Sequence, residues 1–250
     1  MKIFEVQFYI VGPIRFENNL NFQGTIELNV GRVFNNEINI QTSYESNIIY
    51  SVVSAENINS AQKVAAVYIG NILDVLAVMT NCKLEISLFE NRNSIYNIKT
   101  IVNFEEIQRA FQLAIELNLH VQNNKMLCAY SWYRKGMNSD NLFDKFLSFW
   151  NSILIISNTY FNDNEQTRAN VINRIWDCFR QVWGQCSEWP LIRGNENWVK
   201  EHNIIRNQIA HGDVTIGIEY VNKVIDKIEI IEKVSYKFLR DFSALKQINL

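Results

Sequence analysis

The sequence has few residues that could hold a metal or cross-link the chain. Four cysteines and three histidines occur among 250 residues. No two cysteines form a CxxC pair and the histidines are scattered between them, so the spacing typical of a zinc site is missing. We therefore expect reduced, mostly packed thiols, no metal site and no cofactor.

The sequence also lacks the short motifs of common nucleotide-binding and hydrolytic sites, namely a Walker loop, GxGxxG, GxSxG and HExxH. The formal net charge of -2 argues against a protein coated with positive charge for DNA, although a local basic groove stays open. No apolar run approaches about 20 residues. The opening stretch MKIFEVQFYIVG alternates like a strand and lacks the apolar core of a signal peptide. We expect a cytoplasmic protein without a membrane span.

The first hundred residues predict a strand-rich region. Hydrophobic residues make up 48% of the chain and charged residues 20%, which is typical of a globular protein. Short alternating or β-branched runs are broken by Gly and Asn clusters, as in strands and hairpins. One helix is predicted among them, at about 59–80, with Ser60 as its N-cap.

From about residue 103 the apolar residues recur with the period of a helix. The stretch 141–156 is apolar nearly all round, which predicts a central helix contacted on several sides. We expect an α+β protein with two domains, a mixed strand-rich domain at 1–103 and an all-α bundle at 104–250. The predicted helices of the bundle are 104–118, 125–136, 140–161, 164–185, 195–211 and 216–245.

The stretch IIRNQIAHGDV carries the candidate functional residues. At 100° per residue, one face of its helix is a core stripe and a second face presents Ile204, Asn207 and His211. Arg206 lies between the two faces, about 140° around the helix from His211. Gly212 is a natural residue for ending the helix in the left-handed conformation. A mixture of Ile with Asn and His favours a surface that meets another surface.

Plainer interpretations of the same residue types remain open. Arg206 and His211 fit an ordinary helix end, where their side chains satisfy the last carbonyls. His202 is expected to be a semi-buried core histidine and His120 a helix-end residue. Five of the six tryptophans are expected to pack in the core or at an interface. Trp189 could instead line a cleft in front of the predicted 195–211 helix.

The motif RNQIAHG matches the R-x4-H signature of the HEPN superfamily, with a polar residue directly after the arginine. The order of helices also resembles that superfamily. The stretch AYSWYRKGMNSDNLFDKFLSFWNSI is similar to the entry into the bundle in the Apea-like and MauJ-like groups. This resemblance covers roughly residues 125–245.

The resemblance implies a homodimer joined through the 195–211 helix and an endoribonuclease that needs no metal. Arg206 and His211 would be catalytic and Asn207 would be the supporting polar residue. RNA would be the substrate, and a toxin or antiviral defence system, with an antitoxin or defence partner, would be the setting. Related sequences often carry an acid after the aromatic pair of the bundle's first helix, where this chain has Asn151 and Ser152. The alternative is a non-catalytic HEPN dimerisation module that binds RNA, a nucleotide or a partner protein.

Overall fold

The computed structural model describes residues 2–28, 32–42, 47–89, 98–119, 124–160, 170–212 and 217–250, without the side chains of 23–36. The α+β class is confirmed, since strands dominate the N-terminal part and helices the rest. The chain divides into two compact units, residues 1–116 and 117–250. The boundary expected from the sequence, after residue 103, falls at the start of a helix that lies mostly in the first unit.

The first unit is built on a five-stranded antiparallel sheet in the order β3-β4-β5-β1-β6. Alternation places Val6, Phe8 and Ile10 of β1 on the buried face, and Ile49 and Val53 of β5 beside them. A second, two-stranded sheet pairs β2 with β7 in parallel. The strand bounds are β1 Lys2–Val11, β2 Ile14–Phe16, β3 Leu20–Leu28, β4 Arg32–Thr42, β5 Asn47–Ala55, β6 Glu85–Ser87 and β7 Thr100–Val102.

Helix α1, Ile58–Thr80, covers the buried face of this sheet. The predicted Ser60 cap is wrong. Asn57 is the N-cap, and its side chain accepts a hydrogen bond from the Ser60 backbone N–H at 2.9 Å. An Asn side chain reaches the third N–H of a helix in this way because its own backbone is extended.

The expectation that no apolar run approaches about 20 residues is corrected by α1. By length and composition this helix is apolar enough to cross a membrane, with a mean hydropathy of 1.5 over its most apolar window. A core helix passes the same test, and 56% of that window is buried inside the protein. This burial is typical of a core helix, and the cytoplasmic location stays a prediction.

Helix α2, Phe104–Leu119, explains why the first unit runs beyond residue 103. Its start is a capping box, in which Asn103 and Glu106 each accept a hydrogen bond from the other's backbone N–H at 2.9 Å. The ring of Phe111 stacks on Phe22 of β3, with 4.4 Å between centroids, and meets Tyr68 of α1 edge-on at 6.0 Å. These contacts attach α2 to the sheet and to α1.

The second unit is a helical bundle around α4. Apolar residues on several sides of α4 are fully buried, among them Phe146, Trp150 and Ile153, and α4 contacts every other helix of this unit. Its predicted central place is therefore confirmed. The helices are α3 Asn124–Asn138, α4 Leu142–Tyr160, α5 Val171–Trp183, α6 Trp198–His211 and α7 Ile218–Leu245, with a short 3-10 turn at Cys186–Glu188.

The predicted helix starts differ most from the structure at α5 and α6. Helix α5 begins after Asn170, whose side chain accepts a hydrogen bond from the Ile172 N–H at 3.0 Å. The predicted beginning of that helix, 164–169, lies outside the described residues, as does His120. Helix α6 starts later than residue 195, because Asn195 turns the chain through a hydrogen bond from Trp198 N–H to its carbonyl.

Substituting Gly136→Ala in α3 is expected to destabilise the protein, although alanine normally favours a helix by about 1 kcal/mol over glycine. An added Cβ would lie 2.7 Å from ring atoms of Phe149, and that ring is fully buried. We expect the free energy of unfolding, measured by urea denaturation, to fall by about 1–3 kcal/mol. Gly217→Ala is the matched control, since nothing lies within 4 Å of its added Cβ. Equal effects of the two substitutions would contradict the tight contact.

Candidate functional site

Helix α6 has a buried face and an exposed face, as its sequence predicts. Trp198, His202 and Ile205 are buried, whereas Ile204 is 42% exposed and His211 is exposed. The buried residues recur every three or four positions and therefore share one side of the helix. The candidate residues Asn207 and His211 belong to the other side of the helix.

Arg206 and Asn207 are brought together on α6. Both are half-buried, and Nη1 of Arg206 donates a hydrogen bond to Oδ1 of Asn207 at 2.9 Å. Adjacent residues of a helix do not face each other, so the long arginine side chain has to bend around the helix to reach the amide. Asn207 in turn lies about 40° around the helix from His211.

The guanidinium of Arg206 also has one hydrogen-bond donor without an acceptor in the described part of the chain. Its Nε is buried and has no hydrogen-bond partner among the described residues. A buried donor without a partner costs roughly 1–3 kcal/mol. The arginine is therefore held on this face at a cost to stability, a feature more typical of a functional group than of a surface cation.

His211 is the last residue of α6 and is exposed. Gly212 follows in the left-handed conformation, with φ 67° and ψ 24°, and its N–H donates to the carbonyl of Gln208. This is the helix end that the sequence predicts. Among the described residues the imidazole forms no hydrogen bond.

Two side-chain contacts connect α6 to the neighbouring helix α7. The hydroxyl of Tyr220 donates to the carbonyl of Ile205 at 3.3 Å, and Nζ of Lys227 lies 3.1 Å from a carboxylate oxygen of Glu201.

Behind the exposed face, His202 lies in an aromatic cluster. Its ring stacks on Trp198, with 4.1 Å between centroids, and lies nearly parallel to the rings of Phe146 at 5.9 Å and Trp150 at 6.2 Å. The Nδ1 atom is 2.7 Å from the carbonyl oxygen of Trp198. His202 is fully buried, more than the semi-buried histidine expected from the sequence.

Burial lowers the pKa of His202 to about 4. The hydrogen bond to the Trp198 carbonyl opposes this shift, the charge of Lys227 adds to it, and that of Glu201 opposes it. The imidazole is therefore neutral at physiological pH, and its Nδ1–H donates to the carbonyl. His202 anchors α6 and is not a second exposed histidine.

The suggestion that Trp189 lines a cleft is wrong. Its side chain is 1% exposed, its ring packs on Trp176 at 4.4 Å and on Phe179 at 5.2 Å, and its Nε1–H donates to the carbonyl of Gly184. The residue lies in a loop by sequence, but the loop folds back on the bundle and the indole fills the core. Arg193 stays on the surface, where Nε donates to the Ser187 carbonyl.

The two polar residues that replace the expected acid differ in position. Ser152 is fully buried and its hydroxyl donates to the carbonyl of Phe149, whereas Asn151 is half-buried. A buried serine bonded to its own helix has no free group to offer a substrate. Of this pair, only Asn151 could take part in a site.

The cysteines are free, as expected, and Cys82 and Cys178 are buried. Burial raises the pKa of the Cys178 thiol, which keeps it protonated and unreactive. Across the described ranges no group of three His, Cys, Asp or Glu side chains could hold a metal ion.

Residues 129–229 match the family model described as methylamine utilization protein MauJ. The matched segment runs from α3 into α7 and includes Arg206, Asn207 and His211. No curated protein and no solved structure matches the chain significantly. The likeness to MauJ-like proteins is therefore supported for the helical unit, and membership of the wider HEPN superfamily stays a prediction.

The buried, neutral state of His202 predicts a loss of stability in acid. The unfolded chain binds a proton near pH 6.5, whereas the folded protein does so only near pH 4. The free energy of unfolding should therefore be highest above pH 6.5 and should fall by on the order of 2–3 kcal/mol as the pH decreases to about 4.

Urea denaturation of wild type and His202→Gln between pH 7.5 and 4.5 measures this effect. The variant cannot titrate at this position, so its stability should depend less steeply on pH, whatever its stability at pH 7. Comparing the slopes removes the contribution of carboxyl groups common to both proteins. Parallel curves would show that His202 titrates normally in the folded protein.

Proposed function

We propose that the helical unit forms a dimeric endoribonuclease that cleaves RNA without a metal, with Arg206, Asn207 and His211 as its catalytic group. The observation that carries this proposal is the arrangement on α6. An exposed imidazole ends the helix, and about one turn earlier an amide holds the arginine side chain by a hydrogen bond of 2.9 Å. The match to MauJ-like proteins covers the same helix.

RNA supplies its own nucleophile, the 2′-hydroxyl, so the protein needs only a base, an acid and a positive charge. His211 would act as the base or the acid and would contribute about 10²–10⁴-fold to the rate. The guanidinium of Arg206 would bind the phosphate and stabilise the charge that develops on it. Asn207 orients the arginine. The products would be a 2′,3′-cyclic phosphate and a 5′-hydroxyl.

A second copy of the chain would complete the site. A single His211 cannot act as base and acid in the same step, whereas two facing copies of α6 supply two imidazoles and two guanidiniums. Ile204 is 42% exposed on the same face, and an apolar side chain between polar ones is typical of an interface. We place the reaction in a toxin or antiviral defence system, where an antitoxin or another defence protein would control it.

The second candidate function is a non-catalytic module that dimerises and binds RNA, a nucleotide or a protein. The exposure of Ile204 favours this alternative, because an apolar side chain beside Asn207 and His211 suits a binding surface whether or not a reaction follows. The two candidates share the exposed face of α6 and differ in whether His211 transfers protons.

RNA cleavage in the presence of a chelator tests the first candidate. Wild type should cut RNA with EDTA present and leave 2′,3′-cyclic phosphate ends. We expect His211→Ala to reduce the rate by about 10²–10⁴-fold and Arg206→Ala by about 10²–10³-fold. Lys223→Ala, which removes an exposed positive charge from α7, is the control and should leave the rate unchanged.

Mapping of the cut ends separates the candidates further. If wild type and His211→Ala leave the same pattern, or if neither cuts while both bind RNA, the catalytic proposal fails and the binding module stands. Failure of cleavage and of binding to every RNA tested removes the nuclease and leaves only a module that binds a nucleotide or a protein.

The dimer is tested by Ile204→Glu. A charge in the middle of the proposed interface should weaken self-association by at least tenfold, because its desolvation costs more than about 1.4 kcal/mol. Sedimentation velocity over a range of concentrations measures the change. The control is Ile58→Glu on α1, since Ile58 is 43% exposed and a carboxylate suits the first turn of a helix. A monomeric wild type, or equal effects of both variants, would contradict a dimer through α6.

A further inference from the structure

Three rings that each carry nitrogen pack together in the aromatic cluster between α4 and α6. Trp150 belongs to α4, and Trp198 and His202 belong to α6. The centroids lie 6.1 Å apart for Trp150 and Trp198, 6.2 Å for Trp150 and His202 and 4.1 Å for Trp198 and His202. All three side chains are at most 2% exposed.

Each of these rings has one nitrogen without a hydrogen-bond partner among the described residues. The three atoms are Nε1 of Trp150, Nε1 of Trp198 and Nε2 of His202. The indole nitrogens can only donate. Because Nδ1–H of His202 donates to the Trp198 carbonyl, the neutral ring presents Nε2 as an acceptor. The cluster therefore offers two donors and one acceptor.

Two hydrogen-bond donors and one acceptor determine which kind of ligand the cluster can bind. A cation would be repelled by two indole N–H groups. An anion could accept from the indoles but would meet the lone pair of Nε2. A small neutral molecule that accepts two hydrogen bonds and donates one satisfies all three atoms, and water is the smallest molecule that does so.

We propose that the cluster binds one water molecule, which accepts hydrogen bonds from the indoles of Trp150 and Trp198 and donates one to Nε2 of His202. The ring centroids lie 4.1 to 6.2 Å apart, and a water bonded at about 2.9 Å to two nitrogens joins atoms about 4.7 Å apart, so one water can reach from one ring to the next. The cost of ordering one water is smaller than that of leaving three buried polar groups unmet.

This water would connect α4 to α6 directly behind the exposed signature face. Such a bridge resists rotation of α6, because turning the helix would carry Trp198 and His202 away from Trp150. The site is independent of the proposed RNA cleavage, and it would be present in a protein that only binds a partner.

Nuclear magnetic resonance of the full-length, ¹⁵N-labelled wild-type protein tests the proposal. Cross-relaxation between water and the indole Hε1 protons is measured at neutral pH, and Trp150→Phe and Trp198→Phe identify the two signals. We expect both protons to show contact with a long-lived water, and the His202 nitrogen shifts to indicate a protonated Nδ1 and an unprotonated Nε2.

Trp189 is the matched internal control. It is 1% exposed like the other two, but its Nε1–H already donates to the Gly184 carbonyl, so it should show no water contact. A water contact at only one of the two cluster indoles, or at neither, overturns the three-point site. A scalar coupling between an indole nitrogen and Nε2 of His202 would also overturn it, because it would reveal a direct bond between the rings.

Discussion

Burial of the inner face of α6 against α4 is the contact on which the helical unit depends. Trp198 and His202 lie against the rings of Phe146 and Trp150, and Ile205 completes the buried stripe. A rotation of α6 by one residue, about 100°, would bring an indole to the surface. Burying a side chain of this size stabilises a protein by several kcal/mol, so the rotation is strongly disfavoured. The direction of Asn207 and His211 follows from that packing.

The contact between α6 and α4 includes a polar group, the imidazole of His202, which the stability of an apolar contact does not require. A leucine in place of His202 would fill the stripe without bringing an acceptor into the core. The imidazole contributes a bond between Nδ1 and the Trp198 carbonyl, which fixes its ring within the helix that carries it. Arg206 has a similar character, since one nitrogen is bonded to Asn207 and another is buried without a partner in the described parts of the chain. Helix α6 thus combines an apolar anchor with two polar groups that are costly to hold.

The sequence predicts features of this protein that depend on period, and misses those that depend on how a side chain bends. The apolar surroundings of α4 and the two faces of α6 follow from spacing of three and four residues. The bond between Arg206 and Asn207 does not, because neighbours in a helix point apart and only the path of the long side chain brings them together.

Contacts between different helices, strands and loops could not be predicted from the sequence either. Nothing in the local sequence separates Asn57 from Ser60 as the cap of α1, because both residue types favour that position. Trp189 follows a 3-10 turn and reads as loop, but its indole packs on Trp176 and Phe179. Phe111 attaches α2 to the sheet through Phe22, a residue far away in the chain. Such pairings are set by the fold as a whole.

The parallel pairing of β2 with β7 has a consequence for the route to the native state. Ile14–Phe16 pairs with Thr100–Val102, so this small ladder closes a loop that contains four strands of the main sheet and all of α1. Closing so long a loop costs chain entropy before any contact compensates it, and distant pairings of this kind slow folding. The β3-β4 and β4-β5 hairpins can form early from neighbouring segments, whereas the ladder has to wait until the strands and α1 have brought its two halves together.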